Sequence, residues 1–168
     1  MSDAPAPVAT RSATISDVPL ISELSARVFG PGRFARTAYR VREGTLAVSP
    51  FCRIACIDEH LIASIRMTDI AIGGHRGALL LGPLAVDPEF ANQGHGRRLI
   101  AESLAAARAA GRQLVVLVGD LTYYGRLGFS AVPVGQMTMP GPVDAERILA
   151  LELAPGALAG FRGAVAAA

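Results

Sequence analysis

The sequence of 168 residues contains no lysine and no tryptophan, and only 5% of its residues are aromatic. All 16 basic residues are arginines, and 14 acidic residues nearly balance them, so the formal net charge is +2. This balance gives no electrostatic reason to expect nucleic acid or an anionic membrane as a partner. The scarcity of aromatic residues also argues against a base-stacking platform. A phosphate-binding site in this chain has to use arginine or backbone amides.

Long apolar runs are missing as well. The longest, among them Ala78–Leu81 and Leu114–Val118, are far shorter than the roughly 20 residues that a membrane-spanning helix needs. The first ten residues have no basic segment followed by an apolar one, so we expect no signal peptide. These features predict a cytoplasmic protein without a membrane partner.

The sequence has only two cysteines, Cys52 and Cys56, and both fall in one predicted strand. Four strand residues span about 13 Å, whereas a disulfide needs Cα atoms within about 7 Å. No further cysteine or histidine stands at metal-ligand spacing. We interpret both cysteines as small buried hydrophobic residues and expect neither a disulfide nor a metal site.

The length and composition indicate one folded domain, because 51% of the residues are hydrophobic and 18% are charged. We expect a flexible tail at residues 1–10, a domain at 11–154 and a C-terminal extension at 155–168. The high apolar fraction is compatible with a homodimer.

Hydrophobic periodicity predicts a strand, two helices and three strands, then a β-α-β unit, a short helix and terminal strands. The predicted elements are strand Arg11–Ile15, a helix through Val28, a helix at about Arg33–Glu43, strands Phe51–Ile57, Leu61–Ile72 and Ala78–Val86, a helix from about Gly94 to Ala110, strand Leu114–Val118 and strand-like segments after Gly128. The strand Ala78–Val86 is apolar throughout and contains Gly82-Pro83. Proline cannot donate a hydrogen bond, so we expect a distortion near Gly82.

The segment Gly94-His95-Gly96 stands at the start of the helix that follows this strand. Backbone amides at a helix N-terminus form an anion site. Arg97 and Arg98 oppose the helix dipole unless an anion binds there. A dinucleotide fold is disfavoured, because Leu99 occupies the position of the third glycine. A Walker loop is excluded, because the chain has no lysine.

Three motifs together resemble the GNAT superfamily of acyl-CoA-dependent N-acetyltransferases. They are Leu84-Ala85-Val86-Asp87-Pro88, Gln93-Gly94-His95-Gly96-Arg97-Arg98-Leu99 and Tyr124-Gly125-Arg126-Leu127-Gly128-Phe129. Other segments are similar to a bacterial subgroup of predicted N-acetyltransferases: Phe29–Phe34, Val118–Asp120 and Pro140–Asp144. The resemblance covers residues 11–154. It implies a mixed α/β fold with a mostly antiparallel seven-strand sheet, splayed central parallel strands and helices on both faces.

The resemblance also implies a cofactor site and a reaction. Acetyl-CoA would be the co-substrate, no metal would be needed, and a small-molecule or peptide amine would accept the acetyl group by direct attack. Leu84, Ala85 and Val86 would bind the pantetheine arm through their backbone, and an amide of that strand would polarise the thioester. Amides of Gln93, Gly94, His95, Gly96, Arg97 and Arg98 would bind the pyrophosphate.

Tyr124 matches the family tyrosine that protonates the departing sulfur, and a phenol is a credible donor to a thiolate. We interpret Tyr123 as the core residue of the pair. The general base stays open among Asp69, Glu43, Glu59, His75 and Asp120; alternatively, water takes the proton. Arg33, Arg36 and Arg40 share one face of the second predicted helix and are candidates for contact with the acceptor.

One position departs from the family pattern. Ala91 stands where relatives usually carry glutamine or arginine in the pyrophosphate loop. This departure and the lack of an acid in the strand Ala78–Val86 favour an alternative. In that alternative, the chain is a CoA-binding sensor or interaction module with little or no turnover.

Overall fold

A mixed β-sheet forms the centre of the computed structural model, which describes residues 6–30 and 37–168. Along the main path the strands are ordered β1-β2-β3-β4-β5-β8-β6, and two further strands, β7 and β9, pair beside it. The strands are β1 (Val8–Ser12), β2 (Arg53–Ile57), β3 (His60–Ile72), β4 (His75–Val86), β5 (Leu114–Val118), β6 (Ser130–Ala131), β7 (Met137–Thr138), β8 (Ile148–Glu152) and β9 (Gly163–Ala167). On the main path, β4 and β5 are parallel and the other pairs are antiparallel.

Within the described residues, four α-helices accompany the sheet: α1 (Val18–Phe29), α2 (Thr37–Arg42), α3 (His95–Ala109) and α4 (Leu121–Tyr124). The alternation of side chains along β4 distributes them over both faces. Leu79 and Leu81 pack in the cluster that contains Leu99 and Ile100 of α3. Leu80, between them, packs in the cluster of Val41 of α2. The predicted mixed sheet with helices on both faces is therefore confirmed.

Residues 8–10 and 163–167 lie in strands that the sequence did not predict. The first strand begins at Val8 rather than at Arg11, and Val8 pairs with Ile57 of β2, so residues 8–10 belong to the sheet and not to a tail. The expected extension contains β9, which pairs with β3 between Ile70 and Ile72. Gly163 of β9 packs against Gly73 so closely that its Cβ would lie 2.8 Å from the Gly73 Cα.

An ion pair and a hydrogen bond connect β1 to the residues before α1 and to α3. The Arg11 guanidinium donates two hydrogen bonds of 2.7 Å to Asp17. These bonds hold the pKa of the Asp17 carboxyl far below its usual range, although burial works in the opposite direction. Glu102 of α3 accepts from Thr10 at 2.6 Å. Burial would raise the pKa of Glu102, but the Thr10 hydrogen bond and the charges of Arg53 and Arg98 keep it below its ordinary value.

Candidate active site

The parallel strands β4 and β5 pair over only part of their length. The register runs from Ala78 opposite Leu114 to Leu80 opposite Val116, and it stops there. From Leu81 to Val86, β4 continues to pair with β3 but not with β5. One edge of this half of β4 is therefore open, and its backbone N–H and C=O groups are available to an added extended chain.

A β-bulge accompanies the separation of the two strands. Leu84 pairs with Ile65 and Leu81 pairs with Met67, so three steps on β4 match two steps on β3. The extra residue falls at Gly82-Pro83, where Gly82 has φ of +125° and Pro83 has no N–H to donate. The predicted distortion near Gly82 is present.

A cleft of about 540 Å³ occupies the space between the separated strands. The residues that line it come from β4, β5, α1, α2, α4 and the segment before β8. They are Phe29, Arg42, Leu81, Gly82, Pro83, Leu84, Leu117, Val118, Gly119, Asp120, Tyr123, Tyr124, Pro142, Val143, Asp144 and Arg147.

A second groove, of about 390 Å³, lies at the N-terminus of α3. Gly94, the residue before this helix, adopts a left-handed conformation with φ of +86° and leaves the helix without a side-chain cap. The first helical hydrogen bond runs from the Arg98 amide to the Gly94 carbonyl at 3.0 Å. The amides of His95, Gly96 and Arg97 therefore have no acceptor within the helix. They offer donors to an anion at this helix end.

Most residues predicted to bind the cofactor border these two spaces. Leu84 lines the cleft, whereas Val86, Gly94, His95, Gly96 and Arg97 line the groove. The side chain of Ala85 is buried on the other face with Leu24 of α1, but its backbone belongs to the same open edge of β4.

Two residues that were predicted to bind the cofactor do not line the groove. The amide of Arg98 is used within α3, and its guanidinium contacts Glu102 at 3.3 Å and the Val8 carbonyl at 3.1 Å. Gln93 does not line the groove, and its amide oxygen lies 3.3 Å from the His95 ring. The structure therefore does not bring Arg98 and Gln93 to the groove. Ala91 does line it.

The two adjacent tyrosines differ from the prediction in one respect. Tyr124 is half-buried, lines the cleft and packs its ring edge-on against Phe129 at 5.8 Å between centroids. A Cβ on Gly119 would lie 2.7 Å from the Tyr124 ring. Tyr123 is not the core residue: it is 40% exposed and lines both the cleft and the groove. Its hydroxyl lies 3.5 Å from the place of a Cβ on Gly96.

The arginines predicted to contact an acceptor are not those that reach the cleft. Arg33 and Arg36 lie outside the described residues, and Arg40 is exposed and does not line the cleft. Arg42, two residues further along α2, is buried and lines it. Its Nη1 donates a hydrogen bond to the Gly82 carbonyl at the bulge.

Of the five candidate bases, Asp120 lines the cleft and the other four do not. Glu43, Glu59 and His75 are exposed elsewhere, and Asp69 pairs with Arg112 at 2.8 Å. Asp120 accepts a hydrogen bond from the Thr122 amide at 2.9 Å. Asp144, which the sequence did not single out, also lines the cleft and accepts from the Glu146 amide at 3.0 Å.

Sequence reasoning also missed Arg126, which lines the groove beside Arg97. Its place in the segment Tyr124–Phe129 was the available signal. Among residues 6–30 and 37–168, no group of three or more histidine, cysteine or acidic side chains could hold a metal ion. Within those same ranges, no helix has the length and apolar character needed to cross a bilayer.

An open strand edge next to a helix N-terminus that offers amides is the arrangement that the resemblance to GNAT acyltransferases implied for the cofactor site. Comparison with known proteins agrees, since residues 47–131 match the model of the acetyltransferase (GNAT) domain. The chain belongs to the GNAT acetyltransferase family.

Relatives and solved structures support this membership. The chain is 32% identical to YjhQ, an uncharacterized N-acetyltransferase of Escherichia coli K12, over 76% of this chain and 71% of YjhQ. It superposes with a TM-score of 0.83 and 27% identity on the E. coli GNAT family N-acetyltransferase YhbS in complex with CoA, covering 100% of this chain and 93% of YhbS. It superposes on a Brucella melitensis GNAT acetyltransferase in complex with acetyl-CoA with a TM-score of 0.73 and 26% identity, covering 97% of both chains.

Proposed function

We propose that this chain transfers the acetyl group of acetyl-CoA to a primary amine. The observation that carries the proposal is the end of β4–β5 pairing at Leu80 and Val116, which opens the cleft. The solved relatives from E. coli and B. melitensis hold CoA and acetyl-CoA. The proposal includes a cytoplasmic location, because acetyl-CoA is available there.

The groove suits the diphosphate of the co-substrate. The amides of His95, Gly96 and Arg97 supply donors at the positive end of the α3 dipole. Arg97 and Arg126 line the same groove and supply positive charge, in a chain that has no lysine to do so. Together these groups replace the side chain that Ala91 lacks.

The open edge of β4 suits the pantetheine arm. The arm pairs with backbone groups of Leu84, Ala85 and Val86 in the way that an added strand would pair with them. The acetyl group then lies near the bulge, where the amide of Gly82 or Leu84 polarises the thioester carbonyl. Pro83 offers no amide, so the oxyanion donor is one of its two neighbours.

The reaction proceeds by direct attack. The neutral amine nitrogen forms a bond to the thioester carbon, the C–S bond breaks, and the nitrogen gives one proton to water. Tyr124 gives its hydroxyl proton to the departing sulfur as a general acid, and its phenolate then takes a proton back from water. Among the described residues that line the cleft, none is a serine, cysteine or lysine that could form a covalent acetyl-enzyme.

The decisive experiment separates turnover from binding. Purified protein is titrated with CoA by calorimetry, and CoA release from acetyl-CoA is followed with a thiol reagent over a panel of primary amines. Release that depends on an amine supports the proposal. Tight CoA binding without release identifies the binding module instead, and absence of CoA binding overturns both functions.

A further inference from the structure

A small pocket lies on the face of the sheet that α1 covers. It has a volume of about 120 Å³, and Ser25 of α1, Ser64 of β3 and Pro83 of β4 are among the residues that line it. We call this space the α1 pocket. An apolar cavity of about 150 Å³ is large enough for benzene. The α1 pocket therefore has room for a short chain of a few non-hydrogen atoms.

Pro83 connects the α1 pocket to the cleft, because it lines both spaces. In the proposed function, the amide of Gly82 or Leu84, the two neighbours of Pro83, polarises the thioester. Among the described residues, none that lines the groove at the N-terminus of α3 also lines the α1 pocket. The pocket is therefore separate from the proposed diphosphate site, and an amine at the thioester has the pocket beside it.

Two buried hydroxyl groups border the α1 pocket. Ser25 and Ser64 are each 4% exposed, and Ser64 lies between Ile54 and Ala85, which pack with α1. Neither serine hydroxyl has a hydrogen-bond partner in the part of the chain that the structure describes. Neither is among the fully enclosed polar atoms of that part either, so each keeps a surface that the pocket can reach. Buried hydroxyls are normally paired, and these two are available to a ligand.

The α1 pocket is poorly suited to a charged group. Arg66 is the one charged residue among the described residues that line it, and its Nη2 donates to the Thr45 hydroxyl at 3.2 Å and to the Leu46 carbonyl at 3.0 Å. An ammonium group would meet no carboxylate there, and a carboxylate would have to displace these contacts of Arg66. Burying a charge without a partner is costly, so the pocket favours a neutral polar group.

We propose that the α1 pocket binds a hydroxyl group of the acceptor, so that the acceptor is a short amino alcohol. This inference rests on the proposed function and names its substrate class. A hydroxyl group can donate one hydrogen bond and accept others. The hydroxyl of the acceptor therefore donates to one of Ser25 and Ser64 and accepts from the other, while its amine lies past Pro83 at the thioester.

The test compares matched acceptors. Linear primary amines of increasing length are assayed with a hydroxyl, methyl, carboxylate or ammonium group at the far end. Transfer is followed by CoA release, and binding in the presence of CoA is followed by calorimetry. At the best length, the wild-type protein is expected to favour the hydroxyl over the methyl ending by about 10- to 100-fold in kcat/KM or Kd, as two neutral hydrogen bonds provide. An equal or better result with any other ending overturns the inference.

Variants then assign the preference to the two serines. Ser25→Ala and Ser64→Ala are each expected to lower the hydroxyl-to-methyl ratio by about 3- to 10-fold, and the double variant should bring it close to one. The ratio is informative even if a variant changes overall activity, because a general defect affects both acceptors alike. Ser130→Ala, at an exposed position in β6, is the matched control and should leave the ratio unchanged.

Stability gives a readout that does not depend on turnover. Ser103 of α3 is fully buried, and its hydroxyl donates to the Phe51 carbonyl at 2.9 Å. Ser103→Ala should therefore lower the urea midpoint, because it leaves a buried carbonyl without this donor. Ser25→Ala makes the same change on another helix and should leave the midpoint unchanged or raise it. A fall as large as that of Ser103→Ala would show that the Ser25 hydroxyl bonds within the protein, and it would overturn the inference.

The outcomes separate this inference from the proposed function. Transfer without a hydroxyl preference, or a preference that survives in the double variant, overturns the role of the α1 pocket and leaves the acetyltransferase proposal standing. Absence of transfer to every amine contradicts the proposed function. Calorimetry with the same amines then still decides whether Ser25 and Ser64 bind a hydroxyl group.

Discussion

The two halves of β4 have different neighbours. From His75 to Leu80 the strand is bordered by β3 and, near its end, by β5, whereas from Leu81 to Val86 it pairs with β3 alone. The first half contains fully buried leucines, and the second contains the bulge and the half-buried Leu84. One strand therefore supplies stability at one end and a binding edge at the other.

This comparison shows how a site can be made by leaving backbone groups unpaired. The open edge of the second half costs hydrogen bonds that a continuous sheet would have formed. The first half and the two packed faces supply the stability that offsets this loss. Changes in the first half should therefore affect unfolding, and changes in the second half should affect binding and turnover.

The largest effect is expected at the cleft. Tyr124→Phe removes the proposed proton donor and should lower kcat by about 10²- to 10⁴-fold while KM for acetyl-CoA changes little. Steady-state CoA release measures both constants. Tyr123→Phe is the comparison, since the Tyr123 hydroxyl lies near Gly96 and should affect KM more than kcat. A larger loss of kcat in Tyr123→Phe than in Tyr124→Phe would contradict the role of Tyr124 and identify Tyr123 as the general acid.

A second prediction separates the two halves of β4 directly. Leu79→Ala leaves a cavity in the core between the sheet and α3 and should lower the free energy of unfolding by about 2–5 kcal/mol. Leu84→Ala, at a half-buried position in the cleft, should cost about 1 kcal/mol or less and raise KM for acetyl-CoA several-fold. Urea denaturation measures the stability of both variants, and steady-state kinetics measures their KM. Equal losses of stability would contradict the assignment of stability to the first half of β4 and binding to the second.

Gly96→Ala should move stability and binding in opposite directions. Its added Cβ would lie 3.4–3.5 Å from Leu84, Tyr123 and Val86, so the fold can accept it, and alanine favours the helix by up to about 1 kcal/mol. The same methyl group narrows the approach to the α3 amides and should weaken CoA binding by about tenfold. Calorimetry with CoA tests this, and unchanged affinity would place the diphosphate elsewhere.

The smallest effect is expected far from the cleft, at the ion pair between Arg11 and Asp17. The folded pKa of Asp17 is below its unfolded value, so its contribution is present above about pH 4 and is lost as pH falls further. Asp17→Asn should lower the free energy of unfolding by about 1 kcal/mol at pH 7 and flatten its dependence on pH below 4. Urea melts across pH measure this.

Asp58→Asn provides the control for Asp17, because Asp58 stands in an exposed turn with φ of +52°, which asparagine also adopts. The free energy of unfolding of Asp58→Asn should depend on pH as that of the wild type does. If Asp17→Asn alters kcat or KM beyond about twofold, the ion pair is connected to the cleft after all.

Local chemistry made part of this site predictable. Pro83 cannot take part in a regular ladder, so the bulge followed from one residue, and the glycines at Gly94 and Gly96 identified a helix start that can face an anion. The parallel strands β4 and β5 followed from the apolar runs on either side of α3. These inferences needed only neighbours along the chain.

Other features depended on packing that no local pattern contains. The exposed Arg40 and the buried Arg42 stand on one short helix, and only the placement of α2 on the sheet distinguishes them. Tyr123 is exposed rather than in the core, because the orientation of α4 brings the ring of Tyr124 and not that of Tyr123 against Phe129. Arg98 is removed from the groove by Glu102, one turn further along α3, and by the Val8 carbonyl of β1.

The contact of Gly163 with Gly73 bears on where this chain can be shortened. A protein cut after residue 154 would lose β9 and expose the edge of β3 at Ile70–Ile72. Unsatisfied strand edges with isoleucine side chains recruit other chains and promote aggregation. A protein truncated at the end of the recognisable motifs would therefore be prone to aggregation, even if its catalytic cleft were intact.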